Sequence, residues 1–492
     1  MKKIDIDYSI ELPNGHEQMA FWSKGSTPKY FVREGTGYWQ EFNEQGLKRF
    51  LKVDGGVSRD DVDAIIRDIQ RNHKVRFVQK IAGLNEGIYN PIKHGNSNNR
   101  YTNILNPEPL HFIEGKKGEW GIINGIIQEM FGHDENQVHA LMGWLAWGRK
   151  AIRDNVPRPN SVLILVGHQK AGKTYFQENI IAPAFNGEFT NAANVLVKGN
   201  QFNKEQCEKC TWIIGDEALS KYTLSREAVT DKFKTVASTT NESFQPKGVD
   251  ATTIHLNRFL TVSSNIDPRS LQSLPLLEKN SNDDKFNYIL FAEKELNDVV
   301  PFDLKGNEFD KFDAAVQKEL PAFLYAVDSY VAPAELLDSR YMVASYHHPK
   351  VVELINSTEP FMQLIQYLQD DRVTNRWFKK ETCWEHKVDV FHNLVHRASA
   401  EEIKQDLIDH IGPDFNDFNR AYCKQAGSMG THLRKAADWF NKQGKSYIRG
   451  GSELHTKTGN MWEINHHISR NNKALTEEQY NKQYPDLLEE VI

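Results

Sequence analysis

The chain's clearest chemistry lies in Ser161-Val-Leu-Ile-Leu-Val-Gly-His-Gln-Lys-Ala-Gly-Lys-Thr174. A short apolar run feeds a loop of form G-x-x-x-x-G-K-T, made of Gly167, His168, Gln169, Lys170, Ala171, Gly172, Lys173 and Thr174, with Tyr175 opening a helix-compatible segment. The two glycines let the backbone turn so that successive N–H groups face phosphate oxygens. Lys173 then reaches the β/γ-phosphates and the Thr174 hydroxyl ligates Mg²⁺. The N-terminus of the following helix adds its positive end. The expected ligands are ATP and Mg²⁺. The plain alternative is a glycine turn between a strand and a helix.

A second hydrophobic run, Thr211-Trp-Ile-Ile-Gly-Asp216-Glu217, ends in paired acids about forty residues after the loop. At the carboxyl end of a parallel strand beside the loop, Asp216 can hold the Mg²⁺ water shell and Glu217 can polarise an attacking water. In isolation such a pair is often a solvated turn; its place after a phosphate loop favours catalysis. A third run, Arg258-Phe-Leu-Thr-Val-Ser-Ser-Asn265, ends in an amide able to orient that water or sense the γ-phosphate, although Asn at a strand end is also ordinary turn chemistry. Between the second and third runs, Glu242 to Asn257 reads as a β-hairpin with a basic turn at Lys247-Gly248-Val249-Asp250, or as a plain surface hairpin with a solvated lysine.

These residues need a scaffold, and the composition supplies one. At 492 residues the chain is long enough for roughly two to four domains. With 39% hydrophobic and 26% charged residues it reads as soluble and globular, and no apolar run reaches the length of a membrane span. The start, Met-Lys-Lys-Ile-Asp-Ile-Asp-Tyr, lacks the apolar core of a signal peptide, so a cytoplasmic protein is the default. A net charge of −6 requires any nucleic-acid contact to come from local basic elements or an inner ring surface. Four cysteines make no disulfide framework. The Cys207/Cys210 pair has no second pair near it, and reads as small residues closing a helix before the next strand.

Residues 1–110 read as a small α/β region. Short strands are expected at Tyr30-Phe-Val-Arg, Gly37 to Phe42 and Lys74-Val-Arg-Phe-Val, with a helix from Arg59 capped by Ser58. Residues 111–155 turn helical, one face carrying Trp120, Ile123, Ile126, Ile127 and Met130 and the next Val138, Leu141, Trp144 and Leu145. The nucleotide domain spans 156–300 and a helical linker 301–356. In residues 357–470 the pattern is three helices (one around Phe361 to Leu368, Ala400 to Ile411, Ser428 to Gln443) and a hairpin, which suggests a winged helix. Arg434, Lys435, Lys442, Lys445, Arg449 and Lys457 bias its third helix and wing toward phosphates; a protein-contact lid is the alternative. An acidic tail, 471–492, closes the chain. The histidines at 347, 348, 392 and 396 show no metal-ligand spacing.

Taken in order, the G-x-x-x-x-G-K-T loop, Ile-Ile-Gly-Asp-Glu, the Lys-Gly hairpin and the strand ending Ser-Ser-Asn resemble the superfamily 3 helicases. More closely, the chain looks like the helicase portion of phage and mobile-element primase-helicases, related to the poxvirus-type primase-helicase. The resemblance runs from about residue 110 to 360, taking in Gly-His-Asp-Glu-Asn-Gln-Val-His-Ala-Leu-Met-Gly-Trp-Leu-Ala-Trp before the core and Glu319-Leu-Pro-Ala-Phe-Leu after it. It implies an α/β fold, an AAA+-type αβα ATPase core that assembles into a ring, usually a hexamer, around nucleic acid. The family's sensor falls on Asn265, and its DNA-gripping hairpin on residues 246–251, with Lys247 as the basic contact and Gly248 and His255 beside it.

The chain departs from the family just before its last core strand, where relatives carry arginines and this sequence reads Asn282-Asp-Asp-Lys-Phe-Asn-Tyr-Ile-Leu-Phe291. The arginine that reaches into a neighbour's site is therefore expected at Arg269, with Lys285 as the fallback and Arg258 a poorer candidate because it begins a strand. The implied activity is ATP-dependent DNA unwinding in replication of a phage or mobile element. The partners would be single-stranded and forked DNA, further copies of the chain, and a separate primase or polymerase. The alternatives are an origin-binding or loader ATPase that does not unwind processively, and a DNA-binding scaffold whose nucleotide site is structural.

Overall fold

Five successive residues, Val162–Val166, have essentially no solvent exposure. A strand buried on both faces reads as a continuous apolar run, and parallel neighbours are what bury it. In the computed structural model this strand, β1, is followed by β2 (Phe189–Asn191), β3 (Thr211–Ile214), β4 (Phe259–Ser264) and β5 (Phe286–Leu290). All pair in parallel, in the order β2-β3-β4-β1-β5. The result is a mixed α/β fold around a central parallel sheet. The structure describes residues 2–4, 9–12, 17–23, 28–34, 37–90, 103–198, 203–219, 226–244, 252–276, 284–301, 304, 306–338, 340–370, 385–388, 394–423, 428–441, 447–456 and 459–465. It divides into two units, Met1–Leu354 and Ile355–Ile492.

In the first unit, the two helical faces read from the sequence become Gly121–Met130 and Glu135–Arg153. Ile123, Ile126, Ile127, Met130, Leu141, Trp144 and Leu145 share one core with Leu163, Leu165 and Phe259 of the sheet. The first helix begins at Trp120 without a side-chain cap of its own. Glu319, from the helix Asn307–Asp328, takes that place: its Oε2 accepts from the amides of Ile122 at 2.9 Å and Ile123 at 3.1 Å. A carboxylate suits the positive end of a helix.

Arg149 ties these layers together. It is fully buried, and its guanidinium donates to both carboxylate oxygens of Asp328, at 2.7 and 2.9 Å. It also donates to the backbone oxygens of Ala184 at 2.5 Å and Ile113 at 2.9 Å, and lies 4.2 Å from the Phe112 ring centre. Four segments far apart in sequence thus meet on one cation.

The described residues of 1–110 hold two small sheets, one of them built on Glu17–Ser23, Lys29–Glu34 and Gln40–Phe42, and two helices. The expected helix is Arg59–Asn72, its Ser58 side chain accepting from the Asp61 amide. The expected strand from Gly37 narrows to Gln40–Phe42. A helix not read from the sequence, Glu44–Val53, follows Asn43, whose side chain caps the Gly46 amide.

In the second unit, helices Pro360–Leu368, Ala400–Ile411, Pro413–Tyr422 and Ser428–Asn441 accompany a four-stranded antiparallel sheet. Its strands lie in the order Glu385–Val388, Leu394–Ser399, Gly459–Asn465, Ile448–Thr456. Among the described residues, the Pro413–Tyr422 helix and the strands Glu385–Val388 and Leu394–Ser399 are additional to the sequence reading. Proline is favoured in the first turn of a helix, and Pro413 opens the added helix here. No described helix is long and apolar enough to cross a membrane.

Burial pushes the Asp328 carboxyl up, but Arg149 and Arg153 more than reverse this and hold it below the usual range. A depressed carboxylate stabilises the fold above its unfolded pKa, and the stabilisation is lost as pH falls through the folded value. Asp328→Asn leaves the Arg149 cation without its counter-charge and should cost about 3–5 kcal/mol at pH 7. Its deficit against wild type should shrink as pH falls below about 4. Denaturant unfolding across pH checks both; a loss under about 1 kcal/mol at pH 7 contradicts the assigned role of the pair.

Candidate functional site

Because β4 lies between β1 and β3, the three segments singled out from the sequence leave the sheet side by side at the carboxyl ends of their strands. The loop after β1 carries Lys173, the residue after β4 is Asn265, and the turn after β3 carries Asp216. The Lys173 ammonium donates to the backbone oxygens of Gly167 at 2.9 Å and His168 at 2.6 Å, and to Asn265 Oδ1 at 3.0 Å. Asn265 in turn donates its backbone N–H to Asp216 Oδ1 at 2.8 Å and its side-chain N–H to Asp216 Oδ2. One amide therefore bridges the lysine and the acid.

The loop has the backbone this requires. Gly172 sits at φ +79° immediately before the helix, a conformation that favours glycine. Gly167 packs so closely on Phe291 that a Cβ there would fall 2.6 Å from the Phe291 Cβ. The Gly167 amide donates to Ser264 O at 3.1 Å, and the Leu296 amide to Lys170 O at 3.2 Å, so the loop is held from both sides. Behind it the chain runs helically through Lys173–Phe176, Gln177–Ile181 and Ala182–Phe185. Gln177 anchors this run to β4, donating to Thr261 Oγ1 at 2.8 Å.

Lys173 is only 7% exposed. Burial lowers its pKa to about 8, the Asp216 charge acting in the opposite direction. His168, Gln169 and Lys170 are exposed at the loop's tip while Ala171 is buried beneath it; His168 and Lys170 approach Glu293 and Glu295. Thr174 is exposed. Tyr175 is tied to the Asn307–Asp328 helix, donating to Asp313 Oδ1 at 3.0 Å, and burial followed by the Asp313 charge pushes its phenol above the usual range. A hydroxyl and a carboxylate are the right donor class for Mg²⁺, which keeps several waters. Thr174 and Asp216 fit it on that ground, with both Asp216 oxygens already accepting from Asn265. Among the described residues no group of three His, Cys, Asp or Glu side chains is placed to hold a metal.

The remaining candidates are more dispersed. Glu217 is exposed in the first turn of the short helix Asp216–Leu219. Arg269 lies in the helix Pro268–Gln272, its side chain outside the described residues. Lys285 is half-buried just before β5. Arg258 is buried and ion-paired with Glu242. The expected hairpin is present as Asn241–Phe244 paired with Thr252–His255, but its tip, with Lys247 and Gly248, lies outside the described residues. His255 sits half-buried at the hairpin's foot, 3.2 Å from Thr240 Oγ1. In the second unit Arg434 and Lys435 are exposed on the Ser428–Asn441 helix. Lys442, Lys445, Lys457 and the Arg449 side chain lie outside the described residues. Cys207 and Cys210 are buried thiols raised in pKa chiefly by that burial. The Asp216–Asn265 and Gln177–Thr261 contacts escaped the sequence reading, because nothing in local spacing reports which strands are neighbours.

The model of a family of unknown function, DUF5906, matches residues 165–278, a span running from the end of β1 past Asn265. No curated protein matches the chain. Two apo structures of the NrS-1 C-terminal region are similar to it. One has 14% identity and a TM-score of 0.48 over 91% of this chain and 96% of that one. The other has 15% identity and a TM-score of 0.48 over 80% and 87%. A structure of SCCmec type IV Cch, described as an active helicase, aligns over 90% of this chain and 77% of that one, at 11% identity and a TM-score of 0.29.

In the nucleotide-free protein the Lys173 ammonium should titrate near pH 8 by lysine-selective NMR. Asp216→Asn removes the one charge that raises this pKa, so the value should move further down. Titration at the ordinary lysine value of about 10.4 contradicts the desolvated site.

Proposed function

We propose that the chain is an ATP-hydrolysing DNA helicase of a phage or mobile element that works as a ring. The observation that supports this most directly is the meeting of Lys173, Asn265 and Asp216 at adjacent strand ends. A glycine-containing loop leading into a helix, an ammonium, an acid and a polar amide are the parts that phosphoryl transfer to water requires.

In this reading the β- and γ-phosphates of ATP take over the Lys173 donors that the loop carbonyls and Asn265 now accept. The ammonium then neutralises charge developing on the γ-phosphoryl group. Water attacks phosphorus in line; the new P–O bond forms as the bond to the ADP oxygen breaks. Glu217 orients that water and accepts its proton. Asn265, released from Lys173, positions the γ-phosphate or the water. Thr174, and Asp216 through water, would hold Mg²⁺, whose charge would offset that of the phosphate oxygens when bound. A cation from a neighbouring copy, Arg269 or else Lys285, completes the charge balance.

Unwinding is the part carried by the order of motifs. The hairpin between the acid strand and the amide strand would grip one DNA strand through Lys247, and the second unit would act as a winged helix contacting duplex phosphates through Arg434 and Lys435.

Lys173→Ala should weaken ATP binding at least about tenfold, since the phosphates lose their buried cation. Glu217→Gln should bind ATP as wild type does and lose about 10²–10⁴-fold in turnover. ATPase assays and equilibrium titrations decide; a Glu217→Gln rate equal to wild type removes Glu217 from catalysis. Turnover without strand displacement on a forked substrate replaces the helicase reading with a loader.

A further inference from the structure

Among the described residues the hairpin pairs only with itself, as a two-stranded sheet. A lone hairpin is marginally stable and does not fix its own direction. Something must therefore aim it. Part of the answer is apolar: Phe244 and Ile254 are buried in the core of the first unit. Glu242 is opposite Ile254 in the hairpin register and two residues from Phe244, so it shares their inward face. A carboxylate there is unexpected for a simple surface hairpin.

Its partner is Arg258, the residue immediately before β4. The guanidinium is 3% exposed, donates Nη1 to Glu242 Oε2, and donates Nη2 to Thr239 O at 2.9 Å. It lies 5.5 Å from the ring centre of Trp212 on β3. Asn203 reinforces the same point, donating to Glu242 Oε1 at 3.0 Å and Ser243 O at 2.7 Å. Next to Arg258, the buried Asn257 donates its backbone N–H to Ala82 O and its side-chain N–H to Gly83 O, each at 3.1 Å. The hairpin's foot is thus joined to two core strands and to the 1–110 region at one place.

That place is at the opposite end of the sheet from the nucleotide site. β4, Phe259–Ser264, separates Arg258 from Asn265 by about 20 Å of strand. β3 runs from beside Arg258 to the Asp216 turn. The helix Arg226–Ser238 also spans about 20 Å and ends just before Thr239, whose carbonyl Arg258 holds. Three stiff elements therefore converge on one buried cation. A buried ion pair gives little net stability over an apolar pair of the same shape, and its attested use is to hold one arrangement against others.

We propose that Arg258 and Glu242 are positioning residues for unwinding: a buried clamp that makes the hairpin follow the strands whose far ends carry Asn265 and Asp216. This rests on the helicase reading above. Neither residue touches nucleotide, so breaking the clamp should spare hydrolysis and lose its conversion into movement along DNA.

The test compares wild type, Glu242→Gln and Asn203→Ala, the last removing tethers to the hairpin without leaving a buried charge unpaired. Three quantities are read: ATP turnover without DNA, ATP consumed per base pair separated on a forked substrate, and hydrogen exchange of the Asn241–Phe244 and Thr252–His255 amides with and without a non-hydrolysable ATP analogue. Basal turnover should stay within about twofold of wild type in both variants. ATP consumed per base pair should rise at least about fivefold in Glu242→Gln and by less in Asn203→Ala. The nucleotide-dependent change in hairpin exchange, present in wild type, should be lost in Glu242→Gln. If Glu242→Gln does not fold, Asn203→Ala decides alone. Unchanged coupling and unchanged exchange response in a folded variant overturn the clamp while leaving the helicase reading intact. Wild-type protein that neither turns over ATP nor separates strands overturns that reading and the clamp with it.

Discussion

A buried ammonium needs acceptors, and Lys173 finds them at the ends of two strands, β1 and β4, with Asn265 linking it to the acid after a third. It is 7% exposed, and its bonds go to two carbonyls of its own loop and to the amide of Asn265. Removing a charge from water is costly unless it is paired or fully hydrogen-bonded. The loop therefore has to fold back over the lysine, Gly172 has to enter the left-handed region, and β4 has to lie between β1 and β3 so that Asn265 can reach across to Asp216. The same desolvation brings the lysine's pKa to about 8, with the Asp216 charge acting in the opposite direction. Phosphate oxygens arriving at this loop would meet a cation whose present partners are neutral dipoles and one shared acid.

Such a site holds its geometry only if the layers around the sheet do not shift. The fork of Arg149 with Asp328 serves that end, joining two helices, the run behind the Lys173 loop and the segment at Ile113. Arg258 with Glu242 does equivalent work beside the hairpin, at the amino end of β4. Two buried arginines thus tie the surroundings of the sheet, one steadying the helices packed on it and one steadying the element proposed to touch DNA.

What could be read from the sequence follows the physics of each element. β1, β3 and β4 are apolar runs because they are buried on both faces, and the loop and the acids follow them directly, so their placement needed no tertiary information. The helices Gly121–Met130 and Glu135–Arg153 announced themselves by their period. The strands Lys2–Ile4, Ser9–Glu11 and Ile104–Asn106, three residues each, are too short to show one. The Arg149–Asp328 fork joins residues 179 positions apart, and Asn265 meets Asp216 across 49. No local pattern records such pairings; they follow from strand order, which the sequence alone left open. In the second unit, the added strands Glu385–Val388 and Leu394–Ser399 lie among polar and histidine residues with little apolar alternation.

The central claim is that the Lys173 ammonium exchanges its internal acceptors for ATP phosphates. A crystal structure of the protein with Mg²⁺ and a non-hydrolysable ATP analogue tests it most directly. The account predicts Lys173 Nζ within about 3 Å of a β- or γ-phosphate oxygen, detached from Gly167 O and His168 O, with the Asn265 amide turned toward the γ-phosphate. An analogue bound elsewhere, or one bound at the loop while Lys173 keeps all three of its present partners, would contradict it.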